Sequence, residues 1–338
     1  MSDKKKGKKL PLALRLKSWW EGYDAEEVAK RYEKALPVEE EQPKKVEKKP
    51  EAAPVAEEKP NTESGLVVDP WDTKTIDIAQ YIWGKGFCGP GGPEYVVGLS
   101  KLLALSPEMS MIQLGADIGG PARTLCDRFG VWINGFEKDE ALVAAGNELS
   151  KMQGLSKKAE LEVYDPDSPD FEGFERKFDR ALSKEALCFI ENKKKVIAAV
   201  ADKLKPGGLF LITDYVLGHD AATVKDNYVN WKVGERENPH PVMAEDLAEM
   251  LKAEGMQVRV SEDISIQYVE MINEAWRGAD KIAATLAKQE DGANMIQILM
   301  REAEYWTRRK KLLEQGDLKL WRIVANKKTS GPSMMSDW

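Results

Sequence analysis

The chain has 338 residues, 42% of them hydrophobic, and a formal net charge of −7. That length and apolar content support one large α/β domain with a tail, or two modest domains, and the charge argues against general nucleic-acid binding. No run of about 18 apolar residues occurs and the basic start leads only into a short, charge-interrupted apolar stretch, so neither a membrane span nor a secretory signal is expected.

The first 36 residues are basic and amphipathic. Lys4, Lys5, Lys6, Lys8, Lys9, Arg15 and Lys17 precede or interleave with Leu10, Leu12, Leu14, Leu16, Trp19 and Trp20. Within residues 1–20 this composition supports either a helix lying on an anionic membrane surface or a short docking helix. Residues 21–36 read as a short helix of intermixed charge. Residues 37–64 are almost wholly Glu, Lys, Pro, Ala and Val, too polar to offset ordering entropy, and are expected to form a disordered linker. No internal repeat is present.

From residue 65 to residue 328 short apolar runs alternate with helical stretches, the pattern of a parallel α/β sheet. Met111–Leu114 reads as the first strand, followed by a loop from Gly115 to Gly120 and a helix opened by Pro121 and ending at Phe129. Val131–Phe136 is the second strand, ending at Glu137, and a helix from Asp139 to Gln153 follows it. Leu161–Tyr164, ending at Asp165, and Phe178–Leu182 are the third and fourth strands. A helix over Lys193–Leu204, a turn at Lys205-Pro206-Gly207-Gly208 and a fifth strand over Leu209–Thr213 come next. Met256–Val260 and Leu320–Ala325 complete seven strands, and the helical stretch Glu270–Glu314 between them reads as an insertion, centred on 276–315. Residues 329–338 are expected to be a flexible end. The fold class expected is α/β, a doubly wound seven-stranded Rossmann-like sheet, with ligands at the carboxyl ends of its first strands.

A glycine-bearing loop between strand and helix lets a ligand approach the backbone, and the helix N-terminus favours negative charge. Gly115 and Gly119 with Glu137 make a nucleoside-binding pattern, because an acid ending the second strand can accept both ribose hydroxyls. Asp165, ending the third strand, can accept a hydrogen bond from an adenine amino group. The three cysteines, Cys88, Cys126 and Cys188, form no CxxC pair, which fits a reducing compartment. With His219 and His240 as the only histidines, no metal site is expected. His219, just past the fifth strand, is the histidine nearest the expected site mouth and a candidate base.

The segment Phe178–Tyr215 resembles class I methyltransferases, and most of all the phosphoethanolamine N-methyltransferase branch. Tyr81–Glu94 and Gly316–Lys328 carry the same likeness, which spans most of residues 78–328. The resemblance implies S-adenosyl-L-methionine (SAM) as cofactor, contacted at Gly115, Gly119, Glu137 and Asp165 with Ser183 nearby. It also implies amine or phosphate contacts at Glu185 and Tyr215. Four positions depart from that family: Gln113 stands for its first-strand acid, Asp117 for its second glycine, and Phe87 and Phe189 for its proton-handling tyrosine and histidine. Asp117 either marks a decayed loop or restores the carboxylate missing at Gln113, and as an aspartate it tolerates a left-handed turn.

The expected function is SAM-dependent methyl transfer to a small amine, a phospholipid head group or another lipid-like acceptor. The alternative is a catalytically silent methyltransferase-like domain serving as a membrane-associated scaffold or adaptor. The partners expected are a small-molecule or lipid substrate and a second copy of the chain in a homo-oligomer. The location expected is cytoplasmic, peripheral at the inner face of a membrane.

Overall fold

A computed structural model describes residues 68–169, 171 and 177–329. The basic segment 1–36, the linker 37–64 and the end 330–338 lie outside the described residues. Seven strands form one sheet: β1 (Ser110–Leu114), β2 (Trp132–Glu137), β3 (Ala159–Val163), β4 (Phe178–Lys184), β5 (Leu204–Leu217), β6 (Met256–Asp263) and β7 (Leu318–Lys327). Their order is β3-β2-β1-β4-β5-β7-β6. The first five run parallel, and β7 lies antiparallel between β5 and β6. This is the doubly wound, Rossmann-like seven-stranded sheet that the alternating pattern predicts. The chain reverses its direction of travel across the sheet at β1, between β2 and β4, where such sheets open a crevice.

Helices α1 (Thr73–Trp83) and α2 (Gly92–Ser100) precede the sheet. Helices α3 (Gly120–Phe129), α4 (Glu140–Met152) and α5 (Lys193–Lys203) are crossovers, and α6 (Asp226–Val233) and α7 (Ala244–Ala253) join β5 to β6. Helices α8 (Ser265–Trp276), α9 (Ala279–Leu286) and α10 (Gly292–Gln315) precede β7. Asp139 starts α4 where the sequence pattern places it, its carboxylate accepting from the N–H groups of Ala141 and Leu142 at 2.8 and 3.1 Å. Such a cap stabilises a helix by about 1 kcal/mol. On one face of the sheet Ile112, Leu114, Phe136 and Ile212 are buried against Val196, Ile197, Leu247 and Leu251 of α5 and α7. Each such side chain contributes roughly 1.5–3 kcal/mol by leaving water.

Two expected boundaries change. The Lys205–Gly208 turn lies inside β5, because the register between Phe178↔Leu204 and Arg180↔Leu209 absorbs it as a bulge opposite Asp179. Glycine is needed there, since a Cβ on Gly208 would sit 2.9 Å from the Lys205 carbonyl oxygen. The expected single insertion from 270 to 314 is three helices, α8 to α10, broken near Gly278 and Gly292. A Cβ on Gly292 would meet the Leu286 carbonyl oxygen at 2.3 Å, so only glycine lets the chain turn this tightly into α10. Helix α10 packs against α1, α6 and α8. Trp83 of α1 meets Trp306 of α10 edge-on at 4.5 Å and Trp276 of α8 at 6.5 Å between ring centroids. The insertion is thereby locked over the carboxyl ends of the strands. Among the described residues, no helix is long and apolar enough to cross a membrane.

Candidate active site

The loop after β1 turns through three left-handed residues, Gly115, Asp117 and Gly119, with φ of 65, 47 and 75°. Gly115 has no alternative, because a Cβ there would lie 2.7 Å from both the Ala186 Cβ and the Lys184 carbonyl oxygen. Asp117 is one of the few non-glycine types that accept this conformation readily. Its N–H donates to Oε2 of Glu137 at 3.0 Å, while Oε1 of Glu137 accepts the N–H of Lys138 at 2.7 Å. The carboxylate ending β2 is thus held by backbone on both oxygens. Burial raises the Glu137 carboxyl pKa, and the neighbouring Asp117 charge raises it further against those two hydrogen bonds. The Asp117 carboxyl is raised by desolvation too, although Lys184 opposes the shift.

Arg123 of α3 fixes the loop 84–91 beside this turn. Its buried guanidinium donates to the carbonyls of Ile118 (2.7 Å), Gly146 (3.2 Å) and Gly86 (3.3 Å). Phe87 therefore packs inward against Gly120, where a Cβ would lie 3.0 Å from its ring, and the next residue, Cys88, faces the cavity.

At the end of β4, Lys184 and Glu185 form a buried ion pair at 2.5 Å, with side chains 4% and 10% exposed. Glu185 has a φ of 49°, an uncommon conformation for this residue type, held by its N–H donating to the Thr213 carbonyl at 2.7 Å. Its Oε1 accepts from the Thr213 hydroxyl at 2.7 Å and its Oε2 lies 3.5 Å from the Tyr268 hydroxyl. Burial works against the Lys184 charge, but Glu185 and Asp117 hold its pKa above the ordinary value. The Tyr268 hydroxyl lies 2.9 Å from that of Tyr215.

The far wall comes from α10 and from residues 235–237. Arg309 donates to both carboxylate oxygens of Glu235 at 2.7 and 2.6 Å and lies over the rings of Phe189, Tyr215, Tyr305 and Trp306 at 4.6–5.3 Å. Arg236 pairs with Glu302 and stacks on Trp71 at 4.1 Å, and Glu237 pairs with Lys138. These walls and the loop end enclose one open cleft of about 800 Å³, part of it solvent at the mouth.

Gly115, Asp117, Glu137 and Glu185 all line this cleft, and so does Phe189. The other expected site residues stand elsewhere. Gly119 caps α3 behind the loop, and a Cβ there would meet Arg123 at 2.7 Å. Ser183 and Gln113 are fully buried in β4 and β1, and their side-chain polar atoms have no hydrogen-bond partner among the described residues. Tyr215 does not line the cleft and touches it through Tyr268 and Arg309. Asp165 is exposed and accepts the Asp167 N–H at 2.8 Å, closing its own turn. His219 lies outside the lining, its ring 2.9 Å from Asp317. The sequence reading missed Lys138, Lys184, Arg236, Tyr268, Tyr305 and Arg309. Glu302, Tyr305, Trp306 and Arg309 recur at the i, i+3, i+4, i+7 spacing of one helix face, a polar and aromatic stripe legible in advance.

Residues 112–212 match the family model described as "Methyltransferase domain". Phosphoethanolamine N-methyltransferase 2 of Caenorhabditis elegans is 28% identical over 145 residues, 43% of this chain and 32% of that protein. Phosphoethanolamine N-methyltransferase 1 of Arabidopsis thaliana is 25% identical over 201 residues, 59% of this chain and 39% of that protein. The chain thus spans between about a third and two fifths of the length of these curated relatives. Among solved structures, the Haemonchus contortus phosphoethanolamine N-methyltransferase 2, bound to phosphomonomethylethanolamine and S-adenosylhomocysteine, superposes with a TM-score of 0.65 at 23% identity. That match covers 76% of this chain and 58% of that one. The chain carries the Rossmann-like methyltransferase fold, and its segment 112–212 is a methyltransferase domain match built around the cleft just described.

Proposed function

We propose that the protein is a SAM-dependent methyltransferase acting on a small amine. The observation that carries this reading is the pair Asp117 and Glu137, two carboxylates at the glycine loop that form no ion pair among the described residues. Their mutual repulsion in a desolvated place is what a bound cation relieves, and SAM carries sulfonium and ammonium charges beside a ribose. Gly115, Asp117 and Glu137 would hold it, with Tyr164 and Leu142 as apolar wall. When bound, SAM supplies an electrophilic methyl group, so an N–C bond forms at the acceptor as the C–S bond breaks.

The chain's own residues then align the acceptor and exclude water. A protonated amine must also lose a proton. Phe189 cannot take it and Phe87 points away from the cleft, which leaves Glu185 as the carboxylate facing the acceptor end, in contact with Tyr268. Tyr215 acts behind Tyr268 as a positioning residue, and no role is assigned to His219. The scaffold alternative gains no support from a loop that keeps its glycine turns and its doubly anchored Glu137.

Calorimetry of the full chain with S-adenosylhomocysteine, the demethylated product, tests the reading. Saturable heat is the expected result, and its absence at high ligand concentration would sink the proposal.

A further inference from the structure

The acceptor end of the cleft has a charge pattern that separates amines by what else they carry. Each cation lining the cleft already has a carboxylate of its own among the described residues: Lys138 with Glu237, Lys184 with Glu185, Arg236 with Glu302 and Arg309 with Glu235. Arg309 is nearly as buried as Lys184. Its bidentate grip on Glu235 sets both partners in place, their side chains 8% and 1% exposed. Breaking such a pair to serve a ligand would strand a buried charge. Asp117 and Glu137 then add two carboxylates that form no ion pair among the described residues, although Lys184 and Arg309 ease the Asp117 charge. The groups lining the cleft and the carboxylates behind them, Glu235 and Glu302, thus sum to an excess of negative charge.

The surfaces left for an acceptor are the rings of Phe189, Tyr268, Tyr305 and Trp306, with the carboxylate of Glu185, which already engages Lys184 and the Thr213 hydroxyl, as the acid among them. Aromatic faces attract cations through their quadrupole. The ring cluster already does so for Arg309. A phosphate dianion placed here meets no unmatched cation and faces an excess of negative charge, whereas an ammonium group meets rings and a carboxylate.

We infer that the acceptor is a cationic amine bearing no phosphate, so that the cleft selects against the phosphorylated form of an amine and for the free one. This rests on the methyltransferase reading above and narrows its substrate class. It sets this chain apart from the Haemonchus contortus protein, whose bound ligand carries a phosphate.

Choline and phosphocholine, identical except for the phosphate, serve as probes. The full chain is first saturated with S-adenosylhomocysteine in a calorimeter, then titrated with each probe at constant ionic strength. Choline is expected to bind at least about tenfold more tightly than phosphocholine, as cation–π contacts without a compensating anion site require. Glu185→Gln is expected to weaken choline about tenfold and leave S-adenosylhomocysteine binding unchanged. Should that variant not fold, Phe189→Leu, which removes one ring from the wall, is expected to weaken choline as well. Phosphocholine binding as tightly as choline, or no choline binding to the loaded protein, would overturn the inference while the cofactor heat leaves the methyltransferase reading standing. Failure of the first titration removes the methyltransferase reading itself, so the two outcomes are distinct.

Discussion

At the loop end of the cleft, Asp117 and Glu137 receive backbone hydrogen bonds and no ion pair, whereas at the α10 end Arg236 and Arg309 each meet a carboxylate within hydrogen-bond distance. On the proposed reading, the loop end holds two crowded carboxylates whose repulsion a cationic ligand would relieve. The α10 end is neutral before anything binds, and its ion pairs hold walls together instead of gripping a ligand. Mutations at the two ends should accordingly be read by different instruments, stability at one and binding at the other.

The largest effect is expected at α10. Arg309→Met strands Glu235, 1% exposed, without its partner. Removing one member of a buried pair costs about 3–5 kcal/mol, so the urea midpoint should fall steeply. The double variant Arg309→Met with Glu235→Leu should recover much of that loss, because two apolar groups leave no stranded charge. A single variant as stable as the parent would show that the pair does not hold this wall together.

Next in size is the loss of binding at the other end. Glu137→Ala removes the carboxylate expected to accept the ribose hydroxyls and frees the N–H groups of Asp117 and Lys138. Charge-assisted hydrogen bonds contribute about 1.5–3 kcal/mol, so S-adenosylhomocysteine should bind roughly 10- to 100-fold more weakly in calorimetry. Tyr268→Phe sharpens the contrast: it deletes the 2.9 Å bond to Tyr215 and should cost about 1 kcal/mol in unfolding free energy with cofactor affinity unchanged.

The sequence revealed the loop end better than the α10 end, for a physical reason. Gly115 and Glu137 are tied to the ends of adjacent parallel strands, so strand periodicity alone brings them together. Glu185, which the family resemblance and not the periodicity pointed to, stands just past the end of the neighbouring β4. Arg236 and Arg309 reach the cleft only because the insertion folds back as three helices and because residues 235–237 pair outward to it. No local pattern specifies that return, although the stripe Glu302, Tyr305, Trp306 and Arg309 marks the helix face that is turned to the cleft wall. Asp165 shows the converse error. Its strand ends at Val163, two residues early, and the carboxylate turns into solvent to close a local turn.

The smallest expected effect separates the two readings of Asp117. Its carboxyl pKa is raised by burial above the ordinary value of 3.8, so the folded state holds this proton more tightly than the unfolded chain does. The charged form is therefore a burden on the fold above that raised value, and the burden lifts as pH falls toward 3.8. Asp117→Asn keeps the left-handed turn and removes the charge, so the free variant should be more stable than the parent at pH 8 by a margin on the order of 1 kcal/mol. That advantage should shrink steadily on acidification. Asp214, pushed up to about 7 by burial, titrates in the same sense in both proteins and cancels in the difference. If Asp117 faces the cofactor's positive charge, the same variant should bind S-adenosylmethionine severalfold more weakly while its affinity for the sulfonium-free product changes less. Equal losses for both ligands would place the carboxylate against the shared ammonium group. No loss for either would mean that the turn, and not the charge, is what this position supplies.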